Sequence, residues 1–296
     1  MLQKFRLLNL IMAIEIYFKL FSKVGLKRIW SSFVSFFGLA GLLTKPVSLF
    51  FPGRPDFGWT GYFALIIICF IFAILKCFPR RSFCHKLSSP DSMVEVKVGD
   101  IFDEKGHIVI GTNDVFDTEL GEIIKPSSVQ GQFLTKVYAN DIARLDADIE
   151  TALEPLSNLC KEETNKKRGK TGRYPIGTAI TLGTHDKRYF LTAYGYMNND
   201  ITVQSSSEYI LQSLNNLWKE IRLKGHSENV TIPIIGSDLA RTGLPRMALA
   251  KLIIEAFVIA SKEKFITKKL TVMIYPKDLD SIDLYKLEDF LESACF

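Results

Sequence analysis

Residues 57–75, FGWTGYFALIIICFIFAIL, carry no charged side chain, and Lys76 closes the run. No other stretch constrains the chain as much, because about 20 apolar residues at 1.5 Å rise are what a hydrocarbon core of roughly 30 Å requires. A core helix of a soluble domain is shorter and less evenly apolar. Trp59, Tyr62 and Lys76 are residue types that anchor helix ends at a lipid interface. The stretch is therefore read as a transmembrane helix over about 57–78. A second run, IWSSFVSFFGLAGLLTKPVSLFF over about 29–51, is a companion of the same kind. At Lys45-Pro46 its helix either snorkels the lysine to the far interface or ends. Ser31, Ser32, Ser35, Gly38 and Gly41 give it small surfaces suited to close helix approach in lipid.

Only PGRPDFGW separates the two runs, so they form a hairpin. Lys23, Lys27 and Arg28 precede it, and Lys76, Arg80, Arg81 and Lys86 follow it. Excess positive charge on both flanks places both ends in the cytoplasm. A cleaved signal peptide is not expected, since no small-residue cleavage site follows the apolar stretch. Residues 4–22 are apolar but include Arg6, Glu15 and Lys19, which fits an interfacial helix. With a basic linker over 80–92, the first 92 residues form a membrane region, and a cytosolic domain occupies 93–296. The chain is thus expected as a multi-pass protein of the cell (inner) membrane.

The net charge of +5 is mild and comes from local basic clusters, which argues against a nucleic-acid partner. Five scattered cysteines, with no C-x-x-C pair, suggest neither a disulfide frame nor a zinc site. No metal ligand set is expected.

Beyond the linker the pattern changes. Six apolar runs read as strands: 94–98, 107–111, 178–182, 188–195, 230–236 and 270–275. Helical periodicity runs over 131–157, 207–224 (with Gly225 as its stop), 246–262 and 281–293. Strands interleaved with helices predict an α/β domain, a mixed six-stranded sheet flanked by helices.

In such sheets ligands bind at the carboxyl ends of the strands. The residues there are chemically alike. The candidate contacts are Asp100 and Ile101 after the first strand, and Asn113, Asp114, Phe116 and Asp117 after the second. Ser127, Gln130, Gly131 and Gln132 open a helix. Gly236, Ser237, Asp238, Leu239, Arg241 and Thr242 follow the fifth strand and are read as opening another. Backbone N–H groups at a helix start, joined to a glycine-bearing loop, form a phosphate cradle. A carboxylate such as Asp100 suits an exocyclic amine, for instance on adenine. Taken singly, each is more often a capped turn. The four together favour a nucleotide-diphosphate ligand.

These residues resemble a macro domain over roughly 94–296. Gly99-Asp100-Ile101 is similar to that family's adenine-reading Gly-Asp-Ile, and PIIGSDLARTGLP resembles its second phosphate loop. Four further segments resemble the divergent macro domain of Thoeris anti-phage systems: Asn113–Thr118, Gln130–Phe133, Tyr174–Thr178 and Ile235–Arg241. The usual Gly-Gly-Gly run is replaced by Ser127-Ser128-Val129-Gln130-Gly131, and Asn-Ala-Ala-Asn is not reproduced. The resemblance implies no cofactor, and a ligand that is an ADP-ribose conjugate, histidine-ADP-ribose being one such molecule. It further implies that a TIR-domain partner makes this signal, and that the chain then forms a homo-oligomer and damages the lipid bilayer.

An enzyme needs an activated group, and His85, His107, His185 and His226 have no Ser or Cys arranged near them. Walker, G-x-S-x-G and H-E-x-x-H motifs are absent from the sequence. A membrane-anchored sensor is therefore the first reading, with no catalytic residue. A membrane-tethered ADP-ribosyl hydrolase, in which Asp114 and Asp117 activate water, is the alternative. A structural anchor that binds only protein is the third.

Overall fold

In the computed structural model the described residues are 20–50 (43–50 as backbone only), 58–166, 168–237 and 242–296. They fall into two units, one ending at Arg81 and one running from Ser82 to Phe296.

The first unit contains helix α1 (Lys23–Phe50) and helix α2 (Gly58–Lys76). Phe33 meets Phe70 edge-on with ring centroids 6.1 Å apart, and Phe37 meets Tyr62 likewise at 5.9 Å. Contacts that descend one helix while ascending the other mean an antiparallel pair. α1 continues through Pro46. Trp59, Phe63, Ile67, Ile71 and Leu75 of α2 point outward and are exposed. Among the described residues α2 is the one helix long and apolar enough to cross a membrane. A methyl group added at Gly38 or Gly41 would meet no atom within 4 Å, so these two glycines are not packed against α2, whereas Ser32 Oγ lies 3.3 Å from Cys77 Sγ just beyond its end. The interfacial helix expected over 4–22 lies outside the described residues apart from its last three, as does most of the turn between the spans.

The second unit is built on β2 (Met93–Val98), β3 (His107–Asn113), β6 (Ala179–Gly183), β7 (Arg188–Met197), β9 (Val230–Pro233) and β10 (Lys269–Ile274). These are the six runs read from the sequence. The observed sheet has eight strands. β1 (Ser82–Lys86), expected as linker, pairs antiparallel with β2 along the edge. β8 (Val203–Gln204) pairs with β7. A separate small hairpin joins β4 (Lys161–Glu162) to β5 (Gly172–Arg173). The main order is β1-β2-β10-β9-β3-β7-β6. From β2 to β7 every neighbouring pair is parallel, so five carboxyl ends share one rim. β3 sits inside this run and is buried along nearly its whole length, which explains its unbroken Ile108-Val109-Ile110.

The helices are α3 (Val129–Val137), α4 (Ile142–Leu153), α5 (Ser207–Lys224), α6 (Arg246–Glu263) and α7 (Leu284–Cys295). The single helix expected over 131–157 is two. Ala139 (φ +52°) and Asn140 (φ +66°) turn the chain left-handed, and Asp141 then caps α4 by accepting from Arg144 N at 3.0 Å. Ile108 and Ile110 pack with Phe133 and Leu134 of α3 and with Leu145 and Ile149 of α4. Trp218 of α5 meets Phe257 of α6 edge-on at 5.4 Å.

His107 opens β3 fully buried. Its Nδ1 accepts from Arg188 N at 3.2 Å, which leaves Nε2 to donate to the Gly225 carbonyl at 3.1 Å. Burial lowers its pKa, opposed by the Gly225 hydrogen bond and aided by Arg188. With the folded pKa below the unfolded value of about 6.5, the unfolded chain takes up the proton first. The stability this group contributes is therefore fully present above that value and is lost as pH falls through the folded pKa. Urea midpoints at pH 7.5 and 5.5 are expected to separate more in the wild type than in His107→Gln. Equal separations would remove His107 as a source of acid sensitivity.

Candidate functional site

A cavity of about 920 Å³ opens at the carboxyl rim of β2, β3, β9 and β10. That size lies within the range of small-molecule and cofactor sites. After β2, Gly99, Asp100 and Ile101 line it. Asp100 Oδ1 accepts from Phe102 N at 2.9 Å, capping a 3-10 turn, and Oδ2 pairs with Lys136 Nζ at 2.5 Å. Each carboxylate oxygen has two acceptor positions, so a ligand donor can still be received.

β3 delivers Gly111, Thr112 and Asn113 to the cavity. Gly111 is a glycine because the Tyr194 ring lies against it: a Cβ would sit 2.6 Å from that ring and 3.2 Å from Ile235. Ser127, Ser128, Val129, Gln130 and Gln132 line the cavity at the start of α3. Ser128 caps that helix, its Oγ accepting from Gly131 N at 3.0 Å. The positive end of the helix dipole and the first-turn N–H groups thus border the cavity, the arrangement an anion uses. After β9, Ile234, Ile235, Gly236 and Ser237 complete this side. Gly236 has φ +84°, a left-handed turn that glycine adopts at no steric cost.

Of the candidates, Asp100, Ile101, Asn113, Ser127, Gln130, Gln132, Gly236 and Ser237 line this one cavity. Five candidates are placed elsewhere. Asp114 is buried beneath the rim, pairing with Arg173 and accepting from Met197 N at 2.8 Å. Burial pushes its pKa up against the pull of Met197 N–H and Arg173. Phe116 is fully buried against Tyr174, ring centroids 5.9 Å apart. Asp117 is buried in a pair with Lys166, whose own pKa is lowered by burial against the attraction of Asp117. Gly131 faces inward, where a Cβ would lie 2.4 Å from the Lys125 carbonyl; it is glycine so that residues 125–126 can close on α3. Thr242 donates to the Gly236 carbonyl at 3.1 Å, which ties the two ends of that loop. Asp238, Leu239 and Arg241 lie outside the described residues. The helix expected right after this loop, α6, begins at Arg246.

Residues not foreseen include Tyr194, Met197 and Met273, which line the cavity from within β7 and β10, and two further groups. Tyr275, Lys277 and Asp278 follow β10, and Arg246 pairs with Asp278 at 3.2 Å. The strand-end rule applied to β10 would have found the first three. Ile123, Ile124 and Lys125, with Ile201 and Thr202, come from connections between elements, and Val203 opens the two-residue β8; none carries a comparable signal.

A family model described as "Thoeris protein ThsA, Macro domain" matches residues 94–275. The Thoeris protein ThsA of Bacillus amyloliquefaciens (strain Y2) is 32% identical over 210 residues, spanning 67% of this chain and 68% of that protein. Among solved structures, an Oceanobacillus iheyensis macrodomain mutant with ADPR matches with a TM-score of 0.50 at 18% identity, over 72% of this chain and 99% of that one. The same organism's macrodomain with MES bound matches with a TM-score of 0.50 and 18% identity, covering 72% of this chain and 98% of its own. These structural likenesses concern the fold, which is that of a macro domain. A strand-end cavity on such a fold, the family match and the relative agree: the chain belongs to the ThsA macro-domain family of Thoeris defence.

Proposed function

We propose that the cavity binds an ADP-ribose-derived signal and that the protein is a membrane-anchored sensor and effector. The observation that carries this reading is the junction of three parts around one cavity: Asp100 at one strand end, the capped start of α3, and the left-handed turn at Gly236. The carboxylate suits an adenine amine, while the helix start and the glycine turn suit a diphosphate. An Oceanobacillus iheyensis macrodomain of the same fold is described with ADPR, which supports the class of ligand. A histidine-ADP-ribose conjugate is a member of that class, and a TIR-domain protein is its source in this reading. Binding without turnover is supported by Asp114 and Asp117, the acids read from the sequence as able to activate water, which are both held in buried pairs outside the cavity.

The apolar outer surface of α2, its antiparallel pairing with α1 and the basic residues Lys76, Arg80 and Arg81 support a hairpin crossing the cell membrane with both ends cytoplasmic. A single hairpin encloses no lumen, so damage to the bilayer requires several copies. Ligand drives assembly only by binding the assembled form more tightly.

Calorimetry with ADP-ribose and histidine-ADP-ribose is expected to show binding, weakened by about 1–3 kcal/mol in Asp100→Ala through loss of a polar contact. Mass photometry of the detergent-solubilised full chain is expected to show larger species with ligand. Absence of binding to both compounds would sink the sensor reading. Release of free ADP-ribose from the conjugate would put the hydrolase in its place.

A further inference from the structure

Asp117 is the centre of a buried cluster that lies outside the cavity. Its Oδ2 accepts from Asn113 Nδ2 at 3.0 Å and faces Lys166 Nζ at 3.5 Å. Its Oδ1 accepts from Lys170 N at 2.7 Å, and its carbonyl accepts from Gln130 Nε2 at 2.7 Å. Lys166 Nζ also donates to the Lys170 carbonyl at 2.5 Å. The side chains of Lys166 and Asp117 are 1% and 2% exposed, so this is a desolvated ion pair. Such a pair adds little stability over a well-packed apolar replacement, because removing two charges from water offsets their attraction. An ammonium here does something an apolar side chain does not: it faces the carboxylate with a charged donor, and a carboxylate is acceptor-only. That forces the Asn113 amide nitrogen toward Asp117. Asn113 Oδ1 then accepts from Val115 N at 3.3 Å and Asp117 N at 3.1 Å, and the orientation of the whole amide is set.

Asn113 and Gln130 both line the cavity, one from the end of β3 and one from the first turn of α3. Both are hydrogen-bonded to the same residue. Packing leaves the node no slack, since a Cβ on Gly169 would lie 2.5 Å from Asp117 Oδ1. We propose that Lys166 and Asp117 are positioning residues for ligand binding: from outside the cavity, their pair fixes Asn113 directly and Gln130 through the Asp117 carbonyl, two residues that line it. The inference rests on the cavity being the ADP-ribose site.

The test uses the detergent-solubilised full chain, titrated with ADP-ribose at a temperature where circular dichroism shows each variant folded. Lys166→Met removes the ammonium at similar length. Asp117→Asn keeps the shape and replaces an acceptor with a donor, and it carries the test if Lys166→Met does not fold. Each is expected to weaken ADP-ribose binding at least tenfold and to shift the side-chain amide resonances of Asn113 and Gln130 in nitrogen-labelled protein. A merely stabilising role would lower the melting temperature and leave the affinity of the folded protein unchanged. Affinity within twofold of the wild type overturns the proposal, as does lost affinity with both amides in place. If the wild type itself does not bind ADP-ribose, the functional reading fails. The amide resonances then decide alone, and unmoved resonances overturn the positioning role.

Discussion

A chain beginning at Met93 is expected to be less stable by about 3–6 kcal/mol than one beginning at Ser82, although both keep every residue of the cavity. The cut at Met93 follows the reading of 80–92 as a linker; the structure puts the boundary at Ser82. β1 pairs with β2 from Ser82 opposite Lys97 to Lys86 opposite Met93. It buries Phe83 and, just beyond, Leu87, each worth about 1.5–3 kcal/mol by area removed from water. Ser82 Oγ donates to Glu95 at 2.6 Å, Ser88 N donates to the Cys295 carbonyl at 3.1 Å, and Ser92 Oγ donates to the Thr267 carbonyl at 2.7 Å. Removing the strand also bares the edge of β2, a template for pairing with another copy. Against a domain stability of about 5–15 kcal/mol, the loss separates a folded protein from a marginal one. Urea denaturation of the two chains measures it directly. Equal midpoints would return 82–92 to the status of a linker.

That strand was hard to see for a physical reason. SFCHK has one large apolar residue among polar and small ones, the composition of an edge rather than of a core. β3 was easy, because burial on both faces leaves an unbroken β-branched run. The break between α3 and α4 carried a local signal in Asn140-Asp141, a left-handed-tolerant residue followed by a helix cap. The periodicity of the flanking apolar residues hid it. At the site the strand-end rule reaches the cavity at Asp100, Asn113 and Gly236 but not at Asp114, Phe116 and Asp117, which follow the same strand as Asn113. Asp114 and Asp117 read as cavity residues only because they follow the end of the second apolar run. Their actual partners, Arg173 and Lys166, stand 59 and 49 residues further along, and no local pattern links them.

Asp114 gives the second large effect and bears on whether the protein turns its ligand over. Its carboxylate receives Met197 N and Arg173, and its own carbonyl accepts from Tyr174 N at 2.9 Å. Arg173 also donates to Glu163 from Nε at 2.8 Å and lies 3.8 Å from the centroid of the Tyr196 ring. The end of β3, the end of β7 and the β4–β5 hairpin thus meet at one buried carboxylate. Asp114→Ala strips one partner from a buried pair and orphans the Met197 N–H, which is expected to cost about 3–5 kcal/mol. Asp114→Asn keeps an acceptor for Met197 N and loses only the charge, so its loss is expected to be smaller. Both are read in urea denaturation beside incubation with an ADP-ribose conjugate. A structural role predicts falling stability in the order wild type, Asn, Ala, with no turnover to lose in any of them. Were the wild type to hydrolyse the conjugate, and Asp114→Asn to abolish that while keeping its full stability, Asp114 would be the base that activates water, and the pair with Arg173 would be the arrangement that tunes it.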